Sequence, residues 1–185
     1  KTAIASSNNS SPGPDGIPFS IFRSLSHITA PIRYSILLLL ARNHPPPLTF
    51  NFSLLHLIPK KDSYIDVAKT RPISVPNTDC RLISTTLVNV LMPHAQDFFL
   101  HNQKAFINSR RITDHIKTLN HRFYSTRSRK IQHFLLFLDF EKAFDSVSHD
   151  YLLSILKVIR MPHWFLSIIT SLLNNIKAFS SFDPL

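Results

Sequence analysis

Asp139 closes an uninterrupted apolar run, Phe134-Leu135-Leu136-Phe137-Leu138, and is the side chain of this sequence best placed to do chemistry. Such a run predicts a strand buried on both faces, with Asp139 at the point where the strand emerges. A carboxylate on a rigid base facing solvent is how a hard-cation site is built, because Mg²⁺ takes oxygen ligands in tight octahedral geometry. The same residues also fit an acidic strand terminus that caps the next helix, and both readings stay open at this point. Asp145 suits a loop-orienting or helix-capping role. Arg122, Phe123, Tyr124, Arg127, Arg129 and Lys130 form a basic, aromatic group of the kind that binds nucleic acid. Charge runs more often face water, so the preferred reading is the solvated face of a helix and the turn that follows it.

Other site chemistries find little support. Of the 10 histidines, His94, His101, His115 and His121 lack the close pair spacing of zinc sites, and the lone cysteine cannot complete one. They are assigned to surface and core. A single cysteine, Cys80, excludes an intramolecular disulfide and points to a reducing, intracellular compartment, with nucleus and cytoplasm not distinguished. Cys80 itself reads as an inert helix residue. With 185 residues, 44% of them hydrophobic, the chain is long and apolar enough for one globular core. The formal net charge of +10 favours polyanionic partners, nucleic acid ahead of an acidic membrane surface. Ile36 to Ala41, the longest apolar stretch near the front, is far short of the roughly 20 residues that span a bilayer. The expectation is a soluble protein with no membrane partner.

The elements that must position these groups are mostly helical. Residues 1–16, rich in Ser, Asn, Pro and Gly, predict a loop. Ile17 to Asn43 has helical spacing at Ile21, Phe22, Leu25 and Ile28, with Pro31 as its expected break. Phe50 to Pro59 and Arg71 to Val75 are short β-rich runs joined by a polar segment, which predicts an antiparallel pair. Asp79 to Leu100 reads as a helix with Asp79 as N-cap and Pro93 as a kink. Thr113 to Arg129 is a further helix with a stripe of Ile116, Leu119 and Phe123. The strand 133–139 follows, then a helix opening near Ser148 and a Pro162-initiated helix to Ile176.

Residues 134–147 resemble the first catalytic motif of reverse transcriptases of non-LTR (LINE-like) retrotransposons, in which Asp-Phe-x-Lys-Ala-Phe-Asp recurs; here it is Asp139-Phe140-Glu141-Lys142-Ala143-Phe144-Asp145. Ser11-Pro12-Gly13-Pro14-Asp15-Gly16-Ile17 is similar to the entry motif of that family. Leu57-Ile58-Pro59-Lys60-Lys61 with Arg71-Pro72-Ile73-Ser74 is similar to its fingers hairpin. Gln103-Lys104-Ala105-Phe106, through Ser109-Arg110 to Asp114, resembles the segment between fingers and palm. The four blocks stand in the family's order.

The resemblance implies an α+β fold: a mainly helical fragment of a right-hand polymerase, with a small antiparallel fingers hairpin and a palm strand. It divides the chain into a lead-in loop (1–16), a fingers-like region (17–130) and an incomplete palm-like region (131–185). It implies RNA-directed DNA polymerisation with RNA template, DNA primer and deoxynucleoside triphosphates as partners, by two-metal nucleotidyl transfer. Asp139 and the backbone carbonyl of Phe140 would be ligands of Mg²⁺ or Mn²⁺. Lys60 or Lys61 and Arg71 would meet the triphosphate, the arginine through its planar fork. Phe144 would lie under the nucleotide sugar and collide with a 2′-hydroxyl. Arg110 would contact template or brace the fingers. The later Tyr/Phe-x-Asp-Asp hairpin, which supplies the other two carboxylates, is absent, and no Asp-Asp pair occurs in the sequence. The expectation is therefore weak or no metal binding and no polymerisation by this chain alone. The alternatives are a non-catalytic basic nucleic-acid-binding module or an unselected retroelement relic. Glycine also departs from the family: only 2 are present, where an average domain carries about 7%. Ala105 and Ser109 stand where relatives have glycine, so backbone strain is expected there.

Overall fold

Pro12 to Gly16 fold as a tight turn, with the Gly16 N–H donating to the Gly13 carbonyl at 3.0 Å and Gly16 at φ 68°. Asp15 Oδ1 accepts from the Ile17 N–H, so the acidic side chain closes the turn and launches the chain into helix. The computed structural model describes residues 10–59, 70–94, 98–107, 109–129, 132 and 134–180. These fall into two compact units, one formed by Lys1–Thr86 with Val147–Leu185 and the other by Leu87–Ser146.

Among the described residues are six α-helices and a three-stranded sheet: α1 Phe19–Ser24, α2 Ser26–Ala41, β1 Phe52–Pro59, β2 Thr70–Pro76, α3 Thr78–Leu91, α4 Thr113–Arg129, α5 His149–Val158, α6 His163–Leu173 and β3 Lys177–Ser180. The fold class is thus mixed α and β, as the sequence indicates. The break expected at Pro31 falls instead at Leu25, which leaves the helical region at φ −102°, ψ 28°. Pro31 lies inside α2. An interior proline forfeits one backbone hydrogen bond and crowds the preceding turn; packing of α2 against α6 outweighs that here. The break also re-phases the apolar face: Phe19 and Phe22 are buried with Leu82 of α3, whereas Ile21, Leu25 and Ile28 are exposed.

The antiparallel pair is present as expected. β1 and β2 run in register from Ser53 opposite Pro76 to Pro59 opposite Thr70. β3 adds to the other side of β1 in parallel, giving the order β2-β1-β3. Its four residues carry too little pattern to read from sequence; pairing with β1 makes them a strand, and the Phe52 and Phe179 rings meet edge to face at 5.1 Å. Asn51 fastens this corner, its buried amide donating to the carbonyls of Ser171 (2.7 Å) and Asn174 (2.6 Å).

α3 begins one residue before Asp79, so Asp79 is a first-turn residue rather than the N-cap. Its carboxylate pairs with Arg33 of α2. Arg33 in turn covers the Phe22 ring at 3.6 Å, and Arg81 covers Phe19 at 4.7 Å, so two guanidinium planes roof the small aromatic core. Burial pushes the Asp79 carboxyl above its ordinary value even though Arg33 pulls it back. The helix ends at Leu91 with a 3₁₀ turn, Met92–His94, rather than running on to Leu100; Pro93 cannot donate the next helical bond.

The strand expected over 133–139 is not formed by its described residues. Residues 134–140 have no regular structure, and Phe134 (98%), Phe137 (80%) and Leu138 (82%) are exposed. A strand buried on both faces needs a ladder on its edges and layers above and below. None of the described strands pairs with this run.

Two helices of the first unit close on left-handed residues that are not glycine. After α2, Asn43 (φ 63°) donates to Leu40 and His44 to Leu39; after α5, Arg160 (φ 58°) donates to Lys157 and Met161 to Leu156. Both are Schellman closures, in which glycine is the usual occupant of the left-handed position.

Candidate functional site

Asp139 leads a series of turns, residues 141–146, that ends at the N-cap of α5. Ser148 is that cap: its hydroxyl accepts from the Tyr151 N–H at 3.3 Å. Within the turns Lys142 is left-handed (φ 50°), and its carbonyl accepts from the Ser146 N–H at 3.0 Å. Asp139, Phe140, Glu141, Phe144 and Asp145 all face solvent. Among the described residues, no strand forms the rigid base expected beneath Asp139.

Among the described residues, the oxygens this motif offers to a divalent cation are those of the Asp139 carboxylate and the Phe140 carbonyl. No group of three His, Cys, Asp or Glu side chains that could hold a metal occurs among the described residues. Mg²⁺ is commonly held by one or two carboxylates, with waters and substrate phosphates completing the octahedron, so these donors would make up part of such a site.

Around Phe144 the second unit has more structure. The Phe144 ring stands edge to face with Phe106, centroids 6.3 Å apart and planes at 85°. Phe106 comes from the loop before α4, where it is left-handed (φ 61°), as is Ser109 (φ 65°). Strain at Ser109 agrees with the expectation for a glycine position; the strain expected at Ala105 is not there, and the left-handed residue is its neighbour Phe106. Arg110 holds this loop. Its guanidinium donates to the carbonyls of Leu100 (2.7 Å), Gln103 (2.8 Å) and Phe99 (3.3 Å). The sequence offers no sign that Phe106 meets Phe144, because the pairing depends on two left-handed residues in separate loops.

Arg71 belongs to the first unit, on β2 opposite Ile58, with an exposed side chain. Lys60 and Lys61 lie outside the described residues. α4 buries none of its residues. Its stripe borders two shallow clefts: Leu119 and Phe123 face Phe134 and Leu135 across one of about 320 Å³, and Ile116 and Leu119 face Phe137 across one of about 350 Å³. Arg122 lines both. No helix among the described residues is long and apolar enough to cross a membrane.

The chain is 27% identical over 150 residues to the uncharacterized 149 kDa protein of transposon TX1 from Xenopus laevis, covering 81% of this chain and 12% of that protein. It is 26% identical over 150 residues to the retrovirus-related Pol polyprotein from type-1 retrotransposable element R2 of Nasonia vitripennis, covering 81% of this chain and 14% of that protein. It therefore spans 12–14% of the length of these curated relatives. Both come from transposable elements, in line with the resemblance carried by the Asp139–Asp145 motif. The sequence profile described as reverse transcriptase (RNA-dependent DNA polymerase) matches residues 58–183, well over half of the sequence, and the chain belongs to that family.

Proposed function

We propose that this chain is a segment of an RNA-directed DNA polymerase of a non-LTR retrotransposon, comprising the fingers and the opening of the palm of a right-hand polymerase. The observation that carries this reading is the Asp139–Asp145 motif lying inside a family match over residues 58–183. The β1–β2 pair supports it by placing Arg71 on one limb of a hairpin whose other limb leads to Lys60 and Lys61. Residues 17–130 are then fingers-like and 131–185 palm-like. Lys60 or Lys61 with Arg71 binds the triphosphate, and Phe144 disfavours a 2′-hydroxyl. Asp139 with the Phe140 carbonyl supplies two of the oxygens of a Mg²⁺ or Mn²⁺ site that this chain does not complete. RNA template, DNA primer and deoxynucleoside triphosphates are the partners.

The chain alone is proposed to bind primer–template without extending it, since a cooperating site that lacks members loses most of its catalysis. Primer extension on an RNA template with Mg²⁺ and deoxynucleotides, run beside Asp139→Ala, tests this. The expected result is no extension by either protein and equal, salt-sensitive binding of primer–template by both. Extension that the substitution abolishes would overturn the inactivity, and no binding by either would sink the polymerase reading.

The exposed run from Phe134 to Phe140 favours a second reading, a retroelement relic whose product does not fold stably by itself. Cooperative thermal unfolding of a monodisperse sample would rule this out.

A further inference from the structure

Phe106 is a bulky residue in the left-handed region (φ 61°), a conformation its side chain disfavours, and the residue is 80% exposed. Hydrophobic burial of the ring therefore does not maintain the strained backbone. The surrounding loop does. The Arg110 guanidinium clamps the carbonyls of Phe99, Leu100 and Gln103; the Arg110 N–H donates to the Ile107 carbonyl at 3.3 Å, and Ile107 is buried. With Ile107 turned inward and the loop fixed on both sides, Phe106 projects outward. There it meets the Phe144 ring at 6.3 Å and 85°, the edge-to-face arrangement aromatic pairs prefer. Phe144 is 82% exposed and sits two residues after a second left-handed residue, Lys142 (φ 50°). Two strained loops thus converge on one exposed pair of rings.

We infer that Phe106 is a positioning residue for Phe144: it holds the Phe144 ring in one orientation, so that the ring discriminates between deoxyribose and ribose in a bound nucleoside triphosphate. This rests on the reading of Phe144 given above. An exposed ring on a turn samples several rotamers, and a side chain that moves aside cannot exclude a single hydroxyl. A second ring at its edge, carried on a backbone that Arg110 holds, biases Phe144 toward the paired orientation. Arg110 serves the same end at one remove, by holding the loop that carries Phe106.

The test is equilibrium binding of thymidine triphosphate and ribothymidine triphosphate, which differ only at the 2′ position, to the full 185-residue chain. The variants are Phe106→Gly, Phe106→Leu and Phe144→Ala, with the thermal midpoint recorded for each. Phe106→Gly removes the ring and relieves the left-handed strain together. It is expected to keep or raise the midpoint while lowering the deoxy-over-ribo preference about two- to tenfold, the range an aromatic pair is worth. Phe106→Leu, which retains bulk at the edge of Phe144, is expected to retain part of the preference. A preference lost in Phe144→Ala but kept in Phe106→Gly overturns the inference alone. A wild-type chain with no preference, or a preference that survives Phe144→Ala, overturns the reading of Phe144 and the inference with it.

Discussion

Gly13 lies directly against Asn77: a Cβ on Gly13 would sit 2.6 Å from the Asn77 Cα, its backbone nitrogen and its Oδ1. The contact is backbone on backbone, so no rotamer change relieves it. Asn77 uses the closeness, accepting from the Asp15 N–H at 3.1 Å and donating to the Thr49 carbonyl at 2.8 Å. The next residue, Thr78, donates to the Ile17 carbonyl at 2.6 Å. The entry turn is thereby fastened to the start of α3. Gly13→Ala is expected to cost about 1–3 kcal/mol, the usual penalty for forcing atoms into a packed site, read as a fall in denaturant midpoint. Gly16→Ala, where nothing lies within 4 Å, tests only the left-handed backbone and should cost less.

Arg160→Gly should stabilise the chain by about 0.5–1 kcal/mol, because the left-handed closure of α5 strains any residue with a Cβ and the exposed arginine makes no compensating burial. The added freedom of glycine in the unfolded chain offsets part of the gain. A melting curve for Arg160→Gly beside Arg160→Ala isolates the backbone effect; equal midpoints would contradict it.

The pH dependence follows from Asp79. Burial raises its carboxyl above the ordinary 3.8, so the folded state holds this proton more tightly than the unfolded state does. The corresponding stability is fully present below pH 3.8 and is lost as pH rises through the raised folded value. Asp79→Asn lacks this titration. The difference in thermal midpoint, variant minus wild type, should therefore rise in favour of the variant as pH increases above 3.8 and then level off. A change of opposite sign would mean that pairing with Arg33 outweighs the desolvation of Asp79.

Leu136→Lys discriminates between the strand read from the sequence and the exposed run found in the fold. Leu136 is 78% exposed, so the substitution should shift stability by no more than about 0.5 kcal/mol, as for other surface changes. It should also reduce aggregation, because it interrupts an apolar, β-prone segment with a charge. In a doubly buried strand the same lysine would be severely destabilising. Chemical denaturation and light scattering on the two proteins decide the matter.

Local signals gave most of the elements correctly. α4 and the opening of α5 at Ser148 match the caps and periodicity read from the chain, and β1–β2 matches the paired β-rich runs. The errors share a cause. Pro31 inside α2, β3 beside β1 and the unpaired run at 134–140 each depend on a partner remote in sequence, which residue pattern does not name. Of the candidate site, the identities of Asp139, Phe144, Arg71 and Arg110 were legible from motif order; Phe106 as the partner of Phe144 was not.

The sequence by itself determined the family and the residue types at the candidate site, because a motif is a statement about which side chains occur at which spacing. The tertiary structure decided what those side chains rest on. Asp139 stands in an exposed irregular run rather than at the end of a buried strand, since a strand exists only where a ladder partner is in reach. Phe144 stands against Phe106 because two glycine-poor loops are held in left-handed turns, one of them clamped by Arg110.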